Sequence, residues 1–227
     1  MKSDEVKNMT LMDKIHKEIK PYMAKNGFLR KGRIYYRISH DISYCIGFDN
    51  PGHNVHAYFF LMPLYIRSEF QYLTYGERLN ILFHKEIPVL DKTATDGQII
   101  DWVNSITNLI SAYVLPFFQN ISTPEKLLSF LSNDWEIIKK HIHCPPLDRL
   151  KLKMFTLLYL HRKVDAMGAI EEYKEELKKC DYLVDRLIVK YNEEANMLES
   201  LASKSDKELD SFFAESIDFT RRINFSK

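Results

Sequence analysis

Residues 34–62 read IYYRISHDISYCIGFDNPGHNVHAYFFLM, and this stretch decides the fold. Ile34, Tyr36 and Ile38 alternate with Arg33, Tyr35 and Arg37, and Ile42, Tyr44, Ile46 and Phe48 alternate with Ser43, Cys45 and Gly47. A period of two predicts strands, because successive side chains on an extended backbone point to opposite faces. Ser39-His40-Asp41 supplies a tight connection, and Asp49-Asn50-Pro51-Gly52 is a turn signal leading to a third strand from Val55 to about Met62. In that third strand both alternating sets are largely apolar, so it is expected to be central and covered on both faces by helices. An antiparallel meander of three or more strands follows.

Upstream, Leu11, Ile15, Ile19 and Met23 fall four residues apart, which places them on one stripe of an amphipathic helix. Thr10 and Asp13 have the spacing of a capping box, Gly27 supplies the residue that takes a left-handed conformation past the helix end, and Pro21 removes one hydrogen bond inside it. Downstream, residues 67–95 have no deciding period, and Arg78 to Phe83 reads equally as a strand or a short helix. Ile99 to Val114 then carry a helical period that Pro116 is expected to end or kink, and Ser122 with Glu125 is read as a second capping box.

Pro145-Pro146 cannot lie inside a regular helix and marks the expected boundary between an α+β domain, residues 1–144, and a helical C-terminal subdomain, residues 145–227, packed on it. Leu150 to His161, Ala166 to Lys178, Leu183 to Leu201 and Asp206 to Ile223 have helical periodicity, with connections at 163–165, Cys180-Asp181 and Lys204-Ser205. These short connections predict an array of antiparallel helical hairpins. The fold class is therefore α+β. In the last helix Leu209, Phe212, Phe213, Ile217, Phe219 and Ile223 form a face too broad for one neighbour. Burial against the 183–201 and 99–114 helices is expected, with a homodimer through the C-terminal helices as the alternative.

The 227 residues are 45% hydrophobic, ample for a core, while 32 Lys and Arg against 31 Asp and Glu leave a formal charge of +1. Bulk attraction to nucleic acid or an acidic membrane is thus not built in. The apolar run Ala57 to Ile66 is half the ~20 residues a spanning helix needs, so no membrane partner is expected. Residues 1–9 contain Lys2, Asp4, Glu5 and Lys7 without an apolar stretch, which predicts a cytoplasmic chain, and three scattered cysteines, Cys45, Cys144 and Cys180, predict free thiols.

Ile15 to Arg37 reads IHKEIKPYMAKNGFLRKGRIYYR, in which Pro21, Gly27, Phe28, Arg30, Lys31, Gly32, Tyr36 and Arg37 carry a resemblance to the bacterial domain-of-unknown-function 4304 family. The likeness covers a little over half the chain. It implies an α+β fold and a bacterial source, with no activity to carry over.

Arg30, Lys31, Arg33 and Arg37 beside Tyr35 and Tyr36 combine phosphate-seeking guanidinium groups with rings able to stack on bases, which is the chemistry of a single-strand nucleic-acid surface. The same alternation also suits the solvated face of an edge strand. His141, His143 and Cys144, and His53 with His56, are soft donors, but no pattern of three or four convergent ligands emerges, so neither a metal nor another cofactor is expected. No Gly-x-Ser-x-Gly elbow or phosphate loop occurs, Cys45 reads as a core thiol, and Asp41, Asp49 and Glu69 read as turn and surface acids, leaving catalytic residues unassigned. The first reading is a non-enzymatic protein-binding module, with toxin-neutralising immunity proteins as an analogy. A nucleic-acid-binding protein is the alternative, and an enzyme of unrecognised type the second.

Overall fold

The computed structural model describes residues 9–50, 54–71, 75–83, 87–133, 135–180 and 183–226. The chain is α+β. Helix α1 (Leu11–Lys25) precedes five strands, β1 (Leu29–Lys31), β2 (Ile34–Ser39), β3 (Ile42–Asp49), β4 (His56–Pro63) and β5 (Gly76–Arg78). The helices that follow are α2 (Leu79–Leu82), α3 (Asp96–Leu109), α4 (Leu115–Asn120), α5 (Pro124–Leu131), α6 (Trp135–Ile138), α7 (Pro146–Tyr159), α8 (Lys163–Lys178), α9 (Asp185–Ala202) and α10 (Asp206–Phe225).

The sheet is an antiparallel meander in the order β1-β2-β3-β4-β5. Every residue of β3 from Ile42 to Phe48 is buried, so both faces of that strand are covered. The β2–β3 connection is the two-residue turn His40-Asp41, with φ of 48° and 57°. Positive φ at both positions matches the strand twist and makes a tight hairpin. The turn read at Asp49 to Gly52 lies in part outside the described residues, as does the connection at Cys180-Asp181. Arg78 to Phe83 holds both of the structures offered for it: β5 ends at Arg78 and α2 starts at Leu79.

At the first helix the capping box is present, Asp13 N–H donating to Thr10 Oγ1 at 3.2 Å and Thr10 N–H to Asp13 Oδ2 at 3.3 Å. Gly27, at φ 78°, closes the other end: its N–H reaches Ala24 O and the Phe28 N–H reaches Met23 O, each at 3.0 Å. Two other expectations are corrected. Pro116 does not end the helical path: a π turn over Ile110–Val114 lets the Leu115 N–H bond Ile110 O, five residues back, and Pro116 enters the first turn of α4, where its missing N–H costs little. The cap of α5 is Thr123 rather than Ser122, because Pro124 is preferred at the first helical position and Thr123 Oγ1 then accepts from Lys126 N–H.

Contacts divide the chain into two compact units. The first comprises residues 1–37, 45–59 and 78–116. There α1 packs on α3, and the buried rings of His16, Tyr35, Phe48 and Trp102 meet at centroid distances of 5.6 to 6.1 Å. The second comprises residues 38–44, 60–77 and 117–227. Pro145 and Pro146 lie inside it, as cap and first residue of α7. Its core stacks Tyr65 on Tyr159 at 4.3 Å with the edge of Phe213 against both, and the Tyr65 hydroxyl is satisfied by Thr156 at 2.9 Å.

Within that unit the broad face of α10 meets α7 and the chain leaving β4. Ser68 N–H donates to Thr220 Oγ1 at 3.1 Å, Asn224 Nδ2 to Ser68 O at 2.8 Å and Gln71 Nε2 to Asn224 O at 2.9 Å. The Arg67 guanidinium lies 4.0 Å from the centre of the Phe219 ring. Periodicity gave the apolar face but missed these side chains, which bond an irregular segment that carries no period.

Candidate functional site

The basic cluster read from the sequence is separated by its own hairpin. Leu29, Arg30 and Lys31 pair with Tyr36, Tyr35 and Ile34, and Gly32 turns the chain at φ 60°. Arg30, Lys31 and Arg33 are exposed. Arg37 is half-buried, 5.1 Å over the Phe28 ring and 3.3 Å from Asn26 O. Tyr35, taken with them as a stacking ring, is 1% exposed and its hydroxyl lies 3.3 Å from His16 Nδ1. Tyr36 is buried as well. The burial of Tyr35 has a simple cause: α1 lies over that face of β2, where the Tyr35 ring meets His16 and Phe48. Arginines remain on the surface, but the aromatic half of the expected nucleic-acid surface does not.

The other residues singled out have structural partners. His56 Nδ1 meets Asn80 Nδ2 at 2.7 Å, while His53 lies outside the described residues. His141 stacks on Phe117 with centroids 5.5 Å apart, and the His143 N–H bonds Gly76 O. Burial pushes the Cys144 thiol up to about 12, with the Asp148 carboxylate adding to the shift, so it is not a ready thiolate. Cys45 and Cys180 are free and buried. Asp41 accepts from Tyr159 and Arg221, Asp49 from Arg78, and Glu69 is exposed. Among the described residues no three His, Cys, Asp or Glu groups converge on a metal position.

The strongest site is a cleft of about 350 Å³ in the second unit, a size suited to one long side chain or a small molecule. Three elements build it. The chain leaving β4 supplies Met62, Ile66, Arg67 and Phe70, held in place by the α10 contacts above. The first turns of α7 supply Asp148 and Lys151, because Pro146 fixes the helix start two residues before Asp148. From α9 come Lys190 and Tyr191, and the Lys151–Glu194 ion pair at 2.5 Å ties α9 to α7. Tyr75, just before β5, closes the inner wall.

Among the polar groups of this cleft, Asp148 and Tyr75 are the most deeply buried of those with no hydrogen-bond or ion-pair partner among the described residues. Asp148 is half-buried, and burial raises its carboxyl above the ordinary 3.8, with Glu194 pushing the same way and Lys151 and His143 opposing. Tyr75 is 8% exposed, and burial, then Cys144 and Asp148, holds its phenol well above 10. Tyr191 is raised likewise by burial and by Asp148 and Glu194. A desolvated acid beside phenols that resist ionisation is an arrangement that costs the free protein stability and favours an incoming hydrogen-bond donor or cation. At the mouth, Arg67 and Lys190 are exposed.

Sequence reasoning missed every one of these residues as a site. Met62, Arg67, Tyr75, Asp148 and Lys190 come from four separate stretches, and no local pattern joins them. Comparison of the chain with protein-family models, with curated proteins and with solved structures finds no match in any of the three. Fold and cleft together define an α+β protein with a preformed cleft. No described helix is long and apolar enough to cross a membrane.

Proposed function

We propose that this is a non-enzymatic protein-binding module whose recognition site is the cleft lined by Met62 to Phe70, Tyr75, α7 and α9. The observation that carries the reading is an apolar wall beside the half-buried Asp148 and the Tyr75 phenol, neither of which has a hydrogen-bond or ion-pair partner among the described residues. Polar groups of that kind are retained at a cost when a partner satisfies them. Ser68 Oγ donates to Phe70 O at 2.7 Å and Lys151 is ion-paired, so neither is a free nucleophile or base. Phe70, 60% exposed beside the cleft, adds an aromatic anchor of the sort that dominates protein interfaces.

Filling the cleft tests this. Ile66→Trp places an indole where the partner is expected and should abolish capture of a specific partner from native cells, while the wild-type chain retains it and both melt at similar temperatures. Equal capture of the same partner by both chains would remove the cleft from recognition.

A further inference from the structure

Building on the protein-binding reading, we infer that the cleft receives an acidic segment of a partner polypeptide: one apolar side chain enters it, and the Asp or Glu residues beside that side chain meet Arg67 and Lys190 at the mouth. Charge carries the argument. Arg67, Lys151 and Lys190 line the cleft, opposed among the described lining residues by the half-buried Asp148. Lys151 is taken by Glu194, 2.5 Å away, whereas Arg67 and Lys190 are exposed and have no carboxylate partner among the described residues. Two cations at one opening attract carboxylates, the polypeptide groups of opposite sign, and turn basic segments away.

The rest of the lining fixes what accompanies the acid. Met62, Ile66 and Phe70 offer apolar surface, and a volume of about 350 Å³ takes one aliphatic or aromatic side chain. Arg67 is already positioned, its guanidinium 4.0 Å from the centre of the Phe219 ring, so less freedom is lost when a carboxylate binds it. Asp148 repels an acid that enters more deeply and accepts an N–H from the entering residue in a charge-assisted hydrogen bond. An apolar residue inside with acids outside is the order this lining selects.

Titration of labelled hexapeptides, capped at both ends so that only side chains carry charge, tests the assignment. Each has a central Phe or Ser flanked by Glu, Gln or Lys. They are measured against the wild-type chain, Lys190→Glu, and Lys207→Glu, an exposed lysine of α10 outside the cleft lining. The wild-type chain should bind the Phe peptide flanked by Glu, with affinity about fivefold lower when Gln replaces Glu. Affinity should also fall when Ser replaces Phe and when salt is raised to about 0.5 M. Lys190→Glu should lose the preference for Glu flanks, and Lys207→Glu should keep it. Equal binding to Glu and Gln peptides or to Phe and Ser peptides, a preference for Lys flanks, or equal losses in the two variants would overturn the acidic occupant and leave the protein-binding reading standing. Binding to no peptide would overturn the occupant, and with Ile66→Trp capture also unchanged the protein-binding reading would fall with it.

Discussion

Lys151 Nζ stands 2.5 Å from Glu194 Oε1, and this partly buried pair ties α7 to α9 beside Asp148. Glu194→Gln removes the pair and leaves the ammonium without its partner, so the urea midpoint should fall. An unchanged midpoint would show that the pair does not hold α9 on α7.

Asp148→Asn should not destabilise the protein at neutral pH. The folded carboxyl lies above its ordinary 3.8, so the folded state holds that proton more firmly than the unfolded chain. Stability attributable to this group is present below pH 3.8 and lost as pH rises through the folded value. Asn carries no such loss, although the first-turn position of Asp148 offsets part of it. Urea midpoints are expected to be equal or higher for the variant at pH 7, with the difference narrowing towards pH 3.5. A variant clearly weaker at pH 7 would give Asp148 a structural role.

His16 gives the first unit a pH dependence of the opposite sign. Burial, then Arg30, lowers its imidazole to about 4, with Asp13 opposing. Between the ordinary 6.5 and about 4 the unfolded chain binds a proton that the folded chain does not, so stability should fall as pH drops through that window. His16→Gln should flatten that part of the curve of melting temperature against pH. A variant with the slope of wild type would place the sensitivity elsewhere.

Phe213→Ala should cost ~3 to 5 kcal/mol, since the ring is 3% exposed and meets both Tyr65 and Tyr159 edge-on. Chemical denaturation measures the loss, and light scattering should show no change in molecular mass. A change from dimer to monomer would instead assign α10 to a contact between copies.

These tests fall on residues of unequal legibility. Strands β2 to β4, α1 and the four C-terminal helices were readable because alternating and four-residue spacings follow directly from backbone geometry. β1 was missed because Leu29 to Lys31 is too short to show a period, and Tyr35 looked exposed because no local spacing shows that α1 covers its face. At Pro116 the helical path continues after a π turn over Ile110–Val114, a form of irregularity that spacing does not announce. The cleft was illegible for a further reason. Asp148 and Tyr75 matter because of what they lack, a partner, and an absent contact leaves no spacing in the chain.

Site-specific photocrosslinking in native cells bears most directly on the cleft as a recognition surface. A photoreactive phenylalanine analogue at position 70, beside the cleft, should yield one dominant protein adduct that disappears in Asp148→Asn. The same analogue at Val164, 86% exposed and outside the cleft, should not yield it. An identical adduct from both positions, or a position-70 adduct indifferent to Asp148→Asn, would contradict the account.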